Sequence, residues 1–157
     1  MNRIFSFLVV TALLFTSSAC GGKKPPEQSA IQGTKVLAAL RDISHAFEKK
    51  NLPLFMSQVS DNYKDRQAFS ASLESVFAKY ETVTFTIQYT KMFITIENRG
   101  MTKATFTWDS EWQTAGGSTQ KNGGRVTFVF DPQDARLVSI DGKNPFIPQP
   151  MEGPGRT

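Results

Sequence analysis

The sequence has few of the cysteine and histidine residues on which many enzymes and metal proteins depend. Among its 157 residues there is one cysteine, Cys20, and one histidine, His45. A single cysteine excludes an intramolecular disulfide, so burial of apolar side chains must hold the folded part together. One histidine and dispersed carboxylates leave no HExxH motif, no metal-ligand spacing and no signature of a catalytic triad. We therefore predict no metal site and no cofactor.

Concentrated charge and long apolar runs are scarce as well. The net charge of +4 comes from 18 Lys and Arg against 14 Asp and Glu, and the basic residues are scattered. No aromatic-plus-basic motif of a nucleic-acid reader accompanies them, so we predict no nucleic-acid partner. The apolar run from Ile4 to Phe15 has about a dozen residues, fewer than the roughly 20 that a membrane-spanning helix needs.

That apolar run lies where a secretory signal has its hydrophobic region. Arg3 precedes it, and the small residues 17–19 lead into Cys20. The arrangement resembles the lipobox of bacterial lipoproteins, with Ser17 where that family usually has Leu. The resemblance implies cleavage before Cys20 and acylation of its thiol and new N-terminus; the alternative is an ordinary signal peptide that leaves a free thiol. Gly21, where aspartate retains enterobacterial lipoproteins in the inner membrane, favours the periplasmic side of the outer membrane.

Composition divides the chain into four parts. Residues 1–19 are the predicted signal peptide, and residues 20–33 are predicted to be the lipidated cysteine and a flexible tether, because two prolines and no apolar period follow the cysteine. Residues 34–148 are predicted to form one domain. Residues 149–157, with two glycines and two prolines, are predicted to be a disordered tail.

Hydrophobic periodicity predicts helices first and strands afterwards. Apolar residues three and four apart indicate a helix capped by Thr34, and Asn51 and Asp65 are the predicted caps of two further helices. Alternation of apolar and polar residues then predicts strands over 82–90, 92–97, 103–113, 125–131 and 137–141. The glycines at 116–117 and 123–124 are interpreted as hairpin flexibility. Beyond the last strand, Phe146 and Ile147 are expected to pack on the domain.

This order favours an α+β fold, with N-terminal helices packed on a curved antiparallel sheet. It resembles the nuclear transport factor 2-like family, the cone-shaped fold of ketosteroid isomerase and limonene epoxide hydrolase. The resemblance covers about Lys35 to Pro148. It rests on the helix break between Phe47 and Leu52, on residues 59–63 (Val-Ser-Asp-Asn-Tyr) and on the closing strand at 136–142. It implies a pocket between the helices and the concave sheet face, and dimers through the outer face.

An aromatic row on the predicted strand 103–113 is the sharpest binding feature. Phe106, Trp108 and Trp112 share one face, where they line an apolar pocket, form a contact surface for another protein or form the core beneath the helices. We take these three, with Tyr63, as candidate ligand-binding residues.

Comparison with ketosteroid isomerase predicts no active site of that kind. The isomerase's oxyanion-hole tyrosine and general-base aspartate fall near Ile43 and Gln67, whose side chains cannot do that chemistry. We therefore expect a lipid-anchored envelope protein that is not an enzyme and that binds a protein partner, a second copy of itself or a small apolar ligand. The alternative is an isomerase or hydrolase with an apolar substrate, in which Tyr63, Asp65 or His45 moves a proton.

Overall fold

Three helices precede four strands in the computed structural model, which describes residues 26–97 and 100–149. The helices are α1 (Pro26–Glu48), α2 (Leu52–Ser57) and α3 (Arg66–Lys79), and the strands are β1 (Thr82–Ile96), β2 (Thr102–Gln113), β3 (Thr119–Phe130) and β4 (Leu137–Gly142). The strands pair in chain order, each antiparallel to its neighbour. Helices packed on this curved, open sheet confirm the predicted α+β fold. The predicted signal peptide, Cys20 and residues 150–157 lie outside the described residues.

The inner face of the sheet is set by a strict alternation along β2. Every second side chain from Thr102 to Trp112 is buried, and those between are partly or fully exposed. The buried face of β1 continues it through Val83, Phe85 and Ile87. The alternation confirms the predicted inward residues of β2, which are Ala104, Phe106, Trp108, Ser110 and Trp112. The core therefore lies between this face and the helices.

Helix α1 covers both the inner face and the open edge of β1. Its predicted apolar face is confirmed, because four side chains are fully buried: Val36, Leu40, Ile43 and Phe47. At the edge, Ser44 Oγ donates to the carbonyl of Phe85 at 3.1 Å, and Glu48 Oε1 accepts from the N–H of Phe85 at 3.4 Å. These bonds satisfy backbone groups that an edge strand would otherwise leave unpaired.

Helix α1 begins at Pro26, earlier than the predicted start at Thr34. The part of the predicted tether at 26–33 is therefore helical. Thr34 is not a cap, since its hydroxyl donates to the carbonyl four residues earlier within the helix. A polar contact attaches the early turns to the loop between β3 and β4: Gln32 Nε2 donates to the carbonyl of Pro132 at 3.3 Å. The periodicity of apolar residues does not reveal such a contact.

The two remaining predicted caps differ in outcome. Asn51 caps α2 as predicted, because its Oδ1 accepts from the N–H of Leu54 at 3.0 Å. Asp65 occupies the N-cap position of α3, but its side chain makes no capping hydrogen bond, so that prediction is wrong. Its backbone is left-handed, with φ of 54°. Capping side chains normally stand on an extended backbone, and this turn does not provide one.

Strand β1 is a single strand of 15 residues where two were predicted. A register shift between Gln88 and Phe93 absorbs the intervening residues, and pairing with β2 then resumes. The shift places Phe93 opposite Thr105 and leaves it 64% exposed.

Strand β3 begins at Thr119, before the predicted start at residue 125. Gly123 and Gly124 therefore lie within a strand, and their interpretation as hairpin flexibility is wrong. Gly123 pairs with Asp109 of β2, and a Cβ atom on it would lie 2.7 Å from Asp109 Oδ1. Glycine at this position lets the two strands approach.

Candidate functional site

Residues 144–149 follow β4 and return over the inner face of the sheet; we call them the C-terminal strap. Its Phe146 has no solvent exposure. Among the large, fully buried side chains of the described residues, Phe146 alone lies outside the helices and strands. The expectation that Phe146 packs on the domain is thus confirmed, and the strap supplies part of the core.

The ring of Phe146 lies in a cage of four phenylalanines, one from each of α1, α2, β1 and β3. The ring centroids are 5.1, 4.9, 5.0 and 5.8 Å away, for Phe47, Phe55, Phe85 and Phe128 respectively. The tilted and edge-to-face geometries are those that aromatic rings prefer. The chain's own Phe146 therefore fills space between the helices and the concave sheet face, where the family resemblance predicts a pocket.

Polar side chains on β2 and β3 hold the strap. Ser110 Oγ, buried, donates to the carbonyl of Pro145 at 3.0 Å, and Gln120 Nε2 donates to the carbonyl of Gln149 at 2.6 Å. With its amide turned to satisfy its neighbours, Asn122 accepts from the N–H of Gln149 at 3.1 Å. Among the described residues, no backbone-to-backbone hydrogen bond joins the strap to the rest of the domain. The strap is therefore attached through side chains.

The predicted aromatic row lies beneath the helices. Phe106, Trp108 and Trp112 are all 0% exposed and belong to the same core cluster as Phe146. Both indole Nε1–H groups are buried and lack a hydrogen-bond partner within residues 26–97 and 100–149. The row thus forms core in this conformation, and a ligand-binding role for it stays a prediction.

Tyr63, the fourth predicted ligand-binding residue, has another aromatic partner. Its ring stacks on Phe69 of α3, with centroids 4.9 Å apart and planes at 19°. The side chain is half-buried, and this burial raises the pKa of its hydroxyl above the ordinary value. Its role as a ligand contact likewise stays a prediction.

A cleft runs along the strap on the side of α3. Its volume is about 460 Å³, and its walls come from α3 and its end, from β3 and from the strap: Ser72, Ser75, Val76, Lys79, Tyr80, Gln120, Ile147 and Pro148. The Tyr80 hydroxyl donates to Gln120 Oε1 at 3.0 Å, while the amide nitrogen of Gln120 holds the strap. A hydrogen-bonded chain thus links the cleft wall to the strap. Sequence patterns gave no sign of this cleft, because its residues are far apart in the chain.

The three candidate proton-handling side chains do not converge. His45 is exposed on α1, Asp65 is exposed at the start of α3, and Tyr63 stacks on Phe69. None of the three lines the cleft beside the strap. Within residues 26–97 and 100–149, no group of three or more His, Cys, Asp or Glu is placed to hold a metal ion. No helix of that same part is both long and apolar enough to cross a membrane.

Comparisons with known proteins identify the fold. No protein-family model and no curated protein matches the chain. Among solved structures, a nuclear transport factor 2-like superfamily protein from Salmonella enterica serovar Typhimurium LT2 matches with a TM-score of 0.63 and 14% identity, over 82% of this chain and 99% of that chain. The predicted nuclear transport factor 2-like fold is therefore confirmed.

Two other matches carry the names of enzymes. A pinacolase from Penicillium brevicompactum matches with a TM-score of 0.57 and 8% identity, over 69% of this chain and 84% of that chain. A candidate aromatic ring hydroxylase from Novosphingobium aromaticivorans matches with a TM-score of 0.60 and 11% identity, over 75% and 89%. The prediction that this chain is not an enzyme is wrong in its reasoning, because this fold also serves enzymes unlike the isomerase used for comparison.

Proposed function

We propose that this chain is a lipid-anchored protein of the bacterial cell envelope whose domain binds a small apolar ligand. The cleft beside the strap is the observation that carries the ligand part of the proposal. Its walls combine the apolar side chains of Val76, Ile147 and Pro148 with the hydrogen-bonded pair Tyr80 and Gln120. Apolar walls with a few placed polar groups are what small-molecule sites usually offer.

The anchor part of the proposal rests on the sequence around Cys20. An acylated Cys20 would hold the domain close to the lipid, since α1 begins at Pro26 and the five residues 21–25 span at most about 18 Å. We place the anchor in the outer membrane with the domain on the periplasmic side.

The anchor is tested by metabolic labelling with an alkynyl fatty acid, followed by membrane fractionation. The wild-type chain should carry the label and sediment with outer membranes, and Cys20→Ala should lose both. Ser17→Leu, which supplies the residue usual at that position of the lipobox, is the matched control and should keep both. An unlabelled wild-type chain, or a labelled Cys20→Ala variant, would contradict the anchor.

The ligand site is tested with N-phenylnaphthylamine, a neutral apolar dye that fluoresces when bound. Ser75→Trp should fill the cleft and weaken dye binding by at least about tenfold, because Ser75 lines it. Glu74→Trp is the matched control, since Glu74 is exposed at the preceding position of α3 and does not line the cleft. Equal binding by both variants would place the dye elsewhere, and absence of saturable binding would reject the ligand proposal.

A second candidate function is catalysis on an apolar substrate in the same cleft. The enzyme names among proteins of this fold favour it. Tyr80 is the group we assign to proton transfer, since its hydroxyl is oriented by Gln120 and Lys79 Nζ lies 5.1 Å from its ring centroid. The test is incubation with an extract of apolar envelope metabolites and mass spectrometry. Consumption of a compound by the wild-type chain, and not by Tyr80→Phe, would support catalysis; identical extracts would count against it.

A further inference from the structure

We call the space between the helices and the concave sheet face the cone. The strap lies in the cone as a bound peptide would. Its parts are a ring in an aromatic cage and a carbonyl that accepts from a buried hydroxyl. A ligand that enters from the cleft meets the strap first, because Ile147 and Pro148 form one wall of the cleft. Displacement of the strap would join the cleft to the cone interior.

We propose that the strap closes the deep part of the ligand site in cis, and that the ligand is a neutral, flat aromatic carbonyl compound that displaces Phe146. This inference rests on the proposed ligand-binding function. The ring of the ligand takes the place of the Phe146 ring, and its carbonyl takes the place of the Pro145 carbonyl as acceptor for Ser110.

The polar groups of the inner face determine this ligand class. Ser110 is 2% exposed and donates to a carbonyl. Trp108 and Trp112 flank it on the same face of β2 and are uncharged. Because Ser110 Oγ already donates to a carbonyl oxygen, the position suits a ligand with an acceptor oxygen.

The buried polar side chains also restrict the charge of the ligand. The buried polar side chains of the described residues are Ser60, Thr102 and Ser110, and none of them is charged. An ionised ligand in the cone would therefore lack a countercharge, which makes its burial costly. A neutral carbonyl compound meets no such cost.

The attachment of the strap allows it to leave. It is held by Ser110, Gln120, Asn122 and the Phe146 ring, and by no backbone ladder. Gly142, the last residue of β4, lies two residues before the strap and has φ of 107°, a backbone conformation that glycine adopts readily. Opening the strap therefore leaves all four strands paired.

A reversible lock tests the inference in the full chain. Gln120 Nε2 lies 2.6 Å from the Gln149 carbonyl, so a Gln120→Cys, Gln149→Cys pair can be joined by the short thiol crosslinker 1,2-ethanediyl bismethanethiosulfonate, which spans the length of a side chain and is cleaved by dithiothreitol. The probe is prodan, a fluorescent naphthyl ketone whose emission shifts to the blue in apolar surroundings. Crosslinking of the pair should weaken prodan binding by at least about tenfold, and dithiothreitol should restore it.

Two comparisons complete the design. Phe146→Ala should bind prodan at least about tenfold more tightly than wild type, while Phe93→Ala, a matched change at an exposed ring, should bind as wild type does. Acetophenone should displace prodan at least about tenfold better than ethylbenzene, and Ser110→Ala should remove that preference.

The outcomes separate the inference from the proposed function. Wild-type binding that neither the lock nor Phe146→Ala alters would overturn the strap inference and leave the cleft proposal standing. No binding of prodan or N-phenylnaphthylamine by wild type or by Phe146→Ala would overturn both. Equal displacement by acetophenone and ethylbenzene would overturn the carbonyl class. Because the lock is reversed in the same sample, the test holds even if Phe146→Ala does not fold.

Discussion

Phe146 and Phe128 are both fully buried and in contact, yet we expect their replacement by alanine to cost different free energies of unfolding. Removal of a buried Phe side chain typically costs about 3 to 5 kcal/mol. Phe128 lies in β3, paired with Ala104 and Ile140 on either side, so Phe128→Ala should show the full loss. Phe146 lies in a strap that can detach, so the loss in Phe146→Ala cannot exceed the free energy that holds the strap closed.

The contacts of the strap indicate that the free energy that holds it closed is small. Burial of Phe146 contributes roughly 3 kcal/mol. The hydrogen bonds from Ser110 and Gln120 and to Asn122 contribute about 1 kcal/mol each. Ordering the strap costs roughly 1 kcal/mol for each residue that is not proline, and Pro145 and Pro148 are already restricted. A net of about 2 kcal/mol remains, and this is the ceiling for any substitution in the strap.

Guanidinium unfolding, followed by fluorescence of the two tryptophans and by circular dichroism, measures these losses. We expect about 2 kcal/mol for Phe146→Ala and about 3 to 5 kcal/mol for Phe128→Ala. The control, Phe93→Ala, removes a ring that is 64% exposed and should change stability by less than about 0.5 kcal/mol. Equal losses at Phe146 and Phe128 would refute a detachable strap, because the strap would then be as firmly held as the sheet.

Three further predictions concern other contacts of the domain. Burial raises the pKa of Tyr63, which favours its neutral form in the folded state, so stability should fall as the pH rises above about 10; Tyr63→Phe should reduce that fall in unfolding measured at successive pH values. Lys50 Nζ donates to the carbonyls of Phe77 and Tyr80 at the end of α3, so Lys50→Met should lower the free energy of unfolding by about 1 to 2 kcal/mol, and Lys49→Met at the exposed neighbour should not. Gly123→Ala should cost about 1 to 3 kcal/mol in thermal unfolding, because its Cβ atom would meet Asp109 and the Trp108 carbonyl; a variant as stable as wild type would show that these two groups can move aside.

The sequence was sufficient for the elements whose burial follows a regular period. The alternation along β2 and the apolar face of α1 were predictable, because each inward position carries an apolar side chain or a small one such as Ser110. The start of α1 was not predictable, since a contact between Gln32 and the distant Pro132 attaches its early turns. Asp65 failed as a cap because its backbone is left-handed, which local sequence did not reveal.

The site was harder to predict than the fold, for a physical reason. The space among Phe47, Phe55, Phe85 and Phe128 is filled by a side chain that arrives much later in the chain, Phe146. The packing of Phe146 was predictable, but its position in the cone was not. The prediction that the protein has no enzymatic activity failed for a different reason. Ile43 and Gln67 are unsuitable for the isomerase reaction, but this argues against that reaction alone, and proteins of the same fold carry the names of other enzymes.

A crystal structure of the domain with acetophenone tests the central claim most directly. The account predicts the aromatic ring of the ligand in the cage of Phe47, Phe55, Phe85 and Phe128, its carbonyl oxygen within hydrogen-bond distance of Ser110 Oγ, and Phe146 withdrawn from the cage. A ligand seated on the surface, with Phe146 still enclosed by those four rings, would contradict it.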